Sequence, residues 1–165
     1  MHVWKPVIAA INGAAAAGGW LLAQRCDIRI ASDQAKLGIT ETKWNLPASW
    51  VTDLSRIIGL GHALELVLTS DFISAQRAYE IGFVNQVVPH DQVKDAAREL
   101  AERINRNGPL SCRAHKEILY RGTELTREQG ETLGNTILHP MMNSEDFIEG
   151  STAFARGATP QWKGR

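Results

Sequence analysis

Residues 6–42, PVIAAINGAAAAGGWLLAQRCDIRIASDQAKLGITET, decide the fold. Pro6 opens the apolar run Val7–Ile11, too continuous for a half-exposed strand and too short for a helix. It predicts a buried strand of the parallel kind, with neighbours on both sides. Asn12-Gly13 ends the run, because that pair tolerates the positive φ of a sharp turn. Ala14–Ala17 and Gly18-Gly19 then lead into a helix from Trp20 to about Arg25. Two strands follow, near 27–32 and 35–38, and after them a lone acid, Glu41, at the edge of a polar loop. The glycines leave backbone N–H groups bare at a helix start, a place that binds an anion or stabilises an oxyanion. Bare donors and one carboxylate suit chemistry on a carbonyl. Each feature also has a plainer reading: the glycines as turn geometry or close packing, Glu41 as a solvated surface acid.

Outward from this stretch the chain is mostly helical. Pro47 fits the first turn of a helix reaching about Ile58, with Trp50, Val51, Leu54, Ile57 and Ile58 at helical spacing. Gly59-Leu60-Gly61 breaks it, and His62–Ser70 predicts another short helix. Ser74 is a plausible N-cap for Ala75–Ile81. Gly82 ends that helix, and Phe83–Val88 reads as a fourth strand closed by Pro89. His90–Asn107 is the clearest amphipathic helix, with Val93, Ala96, Ala97, Leu100, Ala101 and Ile104 on one stripe. Further helices are expected from Pro109 to Tyr120, over 121–138 up to a break at His139-Pro140, and from Glu145 to Arg156 behind a Ser144 cap. Gly157–Pro160 stops the last helix and leaves a short basic tail with Trp162, Lys163 and Arg165. Four strands make a thin sheet for so much helix.

Composition excludes several function classes. The 165 residues suit one structural unit with a buried core, and 18 basic residues balance 18 acidic ones. No general attraction to nucleic acid or to an anionic membrane follows from that balance. No apolar run approaches the roughly 20 residues of a membrane span. Cys26 and Cys112 lack metal or redox spacing and read as free thiols of a reducing compartment, the cytoplasm or an organelle matrix. His2, His62, His90, His115 and His139 have no partner at ligand spacing, so no metal site is expected. There is no G-x-S-x-G elbow, Walker A loop or complete G-x-G-x-x-G.

Three blocks resemble the enoyl-CoA hydratase/isomerase (crotonase) family. They are the glycine turn with CDIRIAS, LELVLTSDFISAQRAYEIGFVNQVVP at 64–89, and SEDFIEGSTAFARG at 144–157. The resemblance runs from about Lys5 to the C-terminus and corresponds to the C-terminal portion of the usual chain. It implies an α/β fold: part of a crotonase-like β-β-α spiral over residues 1–90, then a helical C-terminal oligomerisation region over 91–165. It also implies an acyl-CoA thioester substrate, with coenzyme A as part of the substrate and no further cofactor, and a homo-trimer or hexamer. Family members begin well before Lys5, so the chain is expected to be a fragment or a truncated product that does not turn over substrate alone.

The resemblance assigns residues as well. The thioester oxygen would sit between two backbone N–H groups, one of them matching Gly18 in Ala17-Gly18-Gly19. Of the two glutamates of family hydratases, the later matches Glu41 and the earlier falls on Leu21. Leucine cannot hold a water or move a proton. One base can still take a proton from C2 or C4 and return it to the other carbon, shifting a double bond from 3-enoyl to 2-enoyl. Glu41-Thr42 with Leu21 is similar to the family's isomerases. Trp20 and Trp44 would help to wall the acyl pocket, with core packing the alternative for Trp20. Phe154 would reach a neighbouring subunit's adenine pocket or pack inward, and Gly157 stands where the family often has a lysine near the nucleotide. Two alternatives stand beside the isomerase: a hydratase or lyase of an unusual acyl-CoA, and a non-catalytic acyl-CoA-binding or scaffold relative. A family dehalogenase would want an aspartate after Glu41, and Asp53 is the only acid to test there.

Overall fold

The computed structural model describes residues 3–165; Met1 and His2, and with them the reading of His2, lie outside it. The chain forms two compact units, Val7–Ala101 and Glu102–Arg165, the second also taking in the residues up to Pro6.

The first unit holds two small sheets. In one, β1 (Ile8–Ile11), β3 (Ile28–Ser32) and β6 (Gln86–Val88) run parallel in the order β1-β3-β6. Ile8 pairs with Ile28 and Ile11 with Ala31, while Ile30 pairs with Gln86 and Ser32 with Val88. In the other, β2 (Ala15–Ala16) pairs in parallel with β4 (Lys36–Gly38), and β4 pairs antiparallel with β5 (Ile73–Ser74). The expectation that Val7–Ile11 is buried on both sides is corrected here. Ile8 and Ala9 are half-buried and Ala10 is exposed, because β1 is an edge strand among the described residues. The buried central strand is β3, where Arg29, Ile30, Ala31 and Ser32 are all inside.

The short strands β2 and β5 had no apolar alternation to announce them. Phe83 and Val84, expected in the fourth strand, are buried but make no ladder. Their amides both donate to the Ala78 carbonyl, at 2.9 and 3.0 Å, and close the end of α4 (Ala75–Glu80). Ser74 caps that helix by accepting from the Arg77 amide at 3.1 Å, as its position predicted. The helix expected from Pro47 begins instead as a 3₁₀ turn, Ser49–Asp53, and becomes α2 only over Leu54–Ile58. Gly59, at φ +78°, then breaks the chain, so α3 spans Leu60–Thr69 with Gly61 inside it.

Two clusters form the core of this unit. The larger gathers Trp20, Leu37, Ile39, Leu54 and Phe83. The smaller sets Ile30 and Val88 against Val93, Ala96, Ala97 and Leu100 of α5 (Val93–Asn105), so the amphipathic stripe packs as its spacing predicted.

The second unit is helical: α6 (Pro109–Gly122), α7 (Arg127–Met141) and α8 (Glu145–Arg156). Thr126 and Gln129 close a capping box on α7, and Ser144 caps α8. The break expected at His139-Pro140 does not occur. Pro140 sits in the last turn of α7, where its missing N–H leaves little helix to disrupt. The basic tail folds back as a strap. Lys163 and Gly164 amides donate to the buried Asp146 carboxylate at 2.7 and 2.9 Å, and Trp162 Nε1 donates to the Arg106 carbonyl at 2.9 Å. Among the described residues no helix is long and apolar enough to cross a membrane, and no cluster of metal-ligating side chains forms.

Candidate functional site

The two sheets bring the glycine turn and Glu41 to one place. β2 and β4 align Ala16 with Gly38, and the Ala17 amide donates to the Gly38 carbonyl at 3.1 Å. From that shared rung one segment enters α1 (Gly18–Gln24) at the next residue, and the other reaches Glu41 three residues on.

Ala17 carries the backbone strain of the turn. Its φ of 50° and ψ of −116° belong to a region that glycine occupies freely and alanine does not. Gly18 and Gly19 show no positive φ, and a Cβ on Gly18 would meet nothing within 4 Å. A Cβ on Gly19 would meet only the Ala15 methyl, at 4.0 Å. Neither backbone angle nor packing within this chain calls for glycine at 18. As first-turn residues, both have amides without an acceptor one helical turn back. The result is an uncovered N–H surface, exposed at both glycines.

Glu41 opens a 3₁₀ turn, Glu41–Trp44, and is only 8% exposed, so its reading as a solvated surface acid does not hold. Its Oε2 is buried without a hydrogen-bond partner. A buried carboxylate oxygen without a hydrogen-bond partner is costly unless a ligand supplies one. Trp44, three residues on, falls on the same side of a threefold turn and is 80% exposed.

Leu21 is half-buried, and α1 offers no polar group in its stead. Gln24, the one buried amide of the helix, accepts from Trp20 Nε1 at 3.1 Å and donates to the Trp50 carbonyl at 3.3 Å. Trp20 itself is corrected from pocket wall to core. It has no exposed surface, and its indole lies on the Phe83 ring within the larger core cluster. Phe154 stands on α8 in the other unit and is 89% exposed, so its inward alternative fails. Gln24, four residues after Trp20 on one helix face, is a site-adjacent amide that the sequence reading did not single out, although the spacing signals it. Thr42 entered only through the Glu41-Thr42 pattern, and no local signal announces that its hydroxyl reaches the Val67 carbonyl at 2.6 Å.

A family model described as enoyl-CoA hydratase/isomerase matches residues 1–165. The chain belongs to that family. It is 38% identical over 166 residues to the (E)-benzylidenesuccinyl-CoA hydratase of Thauera aromatica, covering 99% of this chain and 65% of the relative. It is 39% identical to the carnitinyl-CoA dehydratase of Proteus mirabilis, covering 98% of this chain and 64% of the relative. Among solved structures, the enoyl-CoA hydratase of Bacillus anthracis superposes with a TM-score of 0.96 at 39% identity, covering 99% of this chain and 64% of that one. The two sheets and their helices are therefore a portion of the crotonase-type α/β fold. The chain spans just under two thirds of the length of these relatives.

Proposed function

We propose that the protein acts on acyl-CoA thioesters and moves a double bond from the 3-enoyl to the 2-enoyl position, with Glu41 as the single proton shuttle. The observation that carries this reading is a buried carboxylate with an unbonded oxygen, in a chain that has Leu21 where the resemblance puts the hydratases' other glutamate. The Glu41 carboxylate takes a proton from C2, and the electron pair moves through C1 onto the thioester oxygen. The Gly18 N–H meets the negative charge that develops there. Such a fixed donor is worth about 3–4 kcal/mol in a transition state and needs no reorganisation. The protonated Glu41 then delivers its proton to C4, leaving the double bond between C2 and C3.

Leu21 speaks against a hydratase, because leucine cannot hold the water that hydration needs, and Gln24 is buried with its amide bonded to Trp20 and to the Trp50 carbonyl. The second reading is nevertheless hydration or dehydration of an unusual acyl-CoA, favoured by the names of the two curated relatives. Assembly into a trimer or hexamer through the helical unit belongs to the same proposal. Leu119, Leu138, Phe147 and Ile148 leave large apolar surface exposed on its helices.

The test is incubation of the protein as its gene encodes it with 3-enoyl-CoA and, separately, 2-enoyl-CoA, beside Glu41→Gln. Conversion of 3-enoyl to 2-enoyl, lost in the variant, is expected. Hydration of 2-enoyl-CoA at a comparable rate would replace the isomerase by the second reading. No turnover of either would favour a binding or scaffold role.

A further inference from the structure

We propose that Thr42 is a positioning residue that fixes the Glu41 carboxylate through a hydroxyl hook onto α3; this rests on the reading of Glu41 as the proton shuttle. Glu41 Oε2 makes no hydrogen bond, so no bond to that oxygen aims the carboxylate. Its place depends on how firmly the 3₁₀ turn beneath it is held.

The turn closes on itself through Lys43 N to Thr40 O at 3.1 Å, Asn45 N to Thr42 O at 3.0 Å and Leu46 N to Glu41 O at 3.2 Å. These bonds set its shape but tie it to nothing else. Thr42 supplies the tie: its Oγ1 donates to the Val67 carbonyl in the last turn of α3 at 2.6 Å. That carbonyl is available because α3 ends abruptly. Ser70 turns left-handed at φ 54°, and the Asp71 amide, which would have closed on Val67 in a continued helix, goes to Thr69 Oγ1 at 3.3 Å. The adjoining Lys43–Asp71 pair, 4.0 Å apart and with both side chains at least half exposed, adds little. The hydroxyl is thus the principal anchor of the residue next to the base.

A proton shuttle between two carbons is sensitive to displacement, since about 1 Å of misplacement can cost about 100-fold in rate. Thr42→Val keeps the branched shape and removes the donor, while Thr42→Ser keeps the donor. In the protein as its gene encodes it, Thr42→Val is expected to lower kcat for 3-enoyl-CoA isomerisation about tenfold or more with KM nearly unchanged. Thr42→Ser is expected to restore most of that loss. The Leu46 amide, which bonds to Glu41 O, is expected to exchange with solvent about tenfold faster in Thr42→Val and at the native rate in Thr42→Ser. Native kcat and native Leu46 exchange in Thr42→Val would overturn the proposal. A lower melting temperature with unchanged kcat would also overturn it, leaving a purely structural hydroxyl. Turnover retained by Glu41→Gln would instead sink the shuttle reading, while the exchange measurement still decides whether the hook holds the turn.

Discussion

The indole of Trp20 lies on the ring of Phe83, with centroids 4.0 Å apart and planes 20° from parallel. The Arg29 guanidinium stands over the same Phe83 ring at 5.0 Å and donates to the carbonyls of Cys26 and Phe83. Three residues from α1, β3 and the segment before β6 thus form one buried stack under the glycine turn. Trp20→Ala is expected to lower stability by about 3–5 kcal/mol, the usual cost of emptying a large aromatic site. Denaturant unfolding would measure it. If Trp20→Phe altered KM for an acyl-CoA while leaving stability alone, the indole would have to line the pocket after all.

Ala17 is held at a φ of 50° by the turn that presents Gly18. Glycine adopts that geometry without the strain, estimated at about 1–3 kcal/mol for other residues, but orders at an extra cost of about 0.5–1 kcal/mol. Ala17→Gly is therefore expected to raise the unfolding midpoint by the equivalent of about 1 kcal/mol. A destabilised variant would mean that the methyl makes a contact worth more than the strain.

Ser70 combines a left-handed backbone with a buried hydroxyl that finds no partner. Both penalties vanish in Ser70→Gly, with an expected gain of about 1–2 kcal/mol in chemical denaturation. Asn45 also sits at φ 54°, yet it is exposed and of a type that tolerates that region, so Asn45→Gly should change stability by less than about 0.5 kcal/mol.

Trp162 fills a slot floored by glycine. A Cβ on Gly150 would lie 2.9 Å from its Cη2. Gly150→Ala should push the indole out, break its bond to the Arg106 carbonyl and cost about 1–3 kcal/mol. Pairing it with Trp162→Phe should return part of that loss in a double-mutant cycle; strict additivity of the two would show that they do not touch.

The strap should loosen in acid. A hydrogen bond from Lys163, with the Arg165 charge beside it, holds Glu145 below its ordinary carboxylate value of 4.5. A depressed carboxylate contributes stability above its unfolded pKa and loses it as pH falls through the folded one. The contribution should thus be present at neutral pH, fade below about 4.5, and be weakened by salt, since the side chain is about half exposed to solvent. Glu145→Gln should flatten that part of the stability–pH curve.

Local chemistry was legible from the chain alone. The Ser74 and Ser144 caps and the α5 stripe depend on neighbours within a few residues, so their residue types announce them. The positive φ expected at Asn12-Gly13 does not occur there and falls on Ala17 instead. What tertiary structure decided was everything set by distant partners. β1 looks fully buried by composition and is an edge strand among the described residues, because strand order is not written in any one strand. Trp20 and Phe83 stack although they stand 63 positions apart in the chain, which turns a candidate pocket wall into core. Glu41 reads as an acid in a polar loop and is buried, because burial depends on what the rest of the chain packs around it. Thr42 found its acceptor 25 residues away, at a carbonyl released only because α3 ends in a left-handed turn.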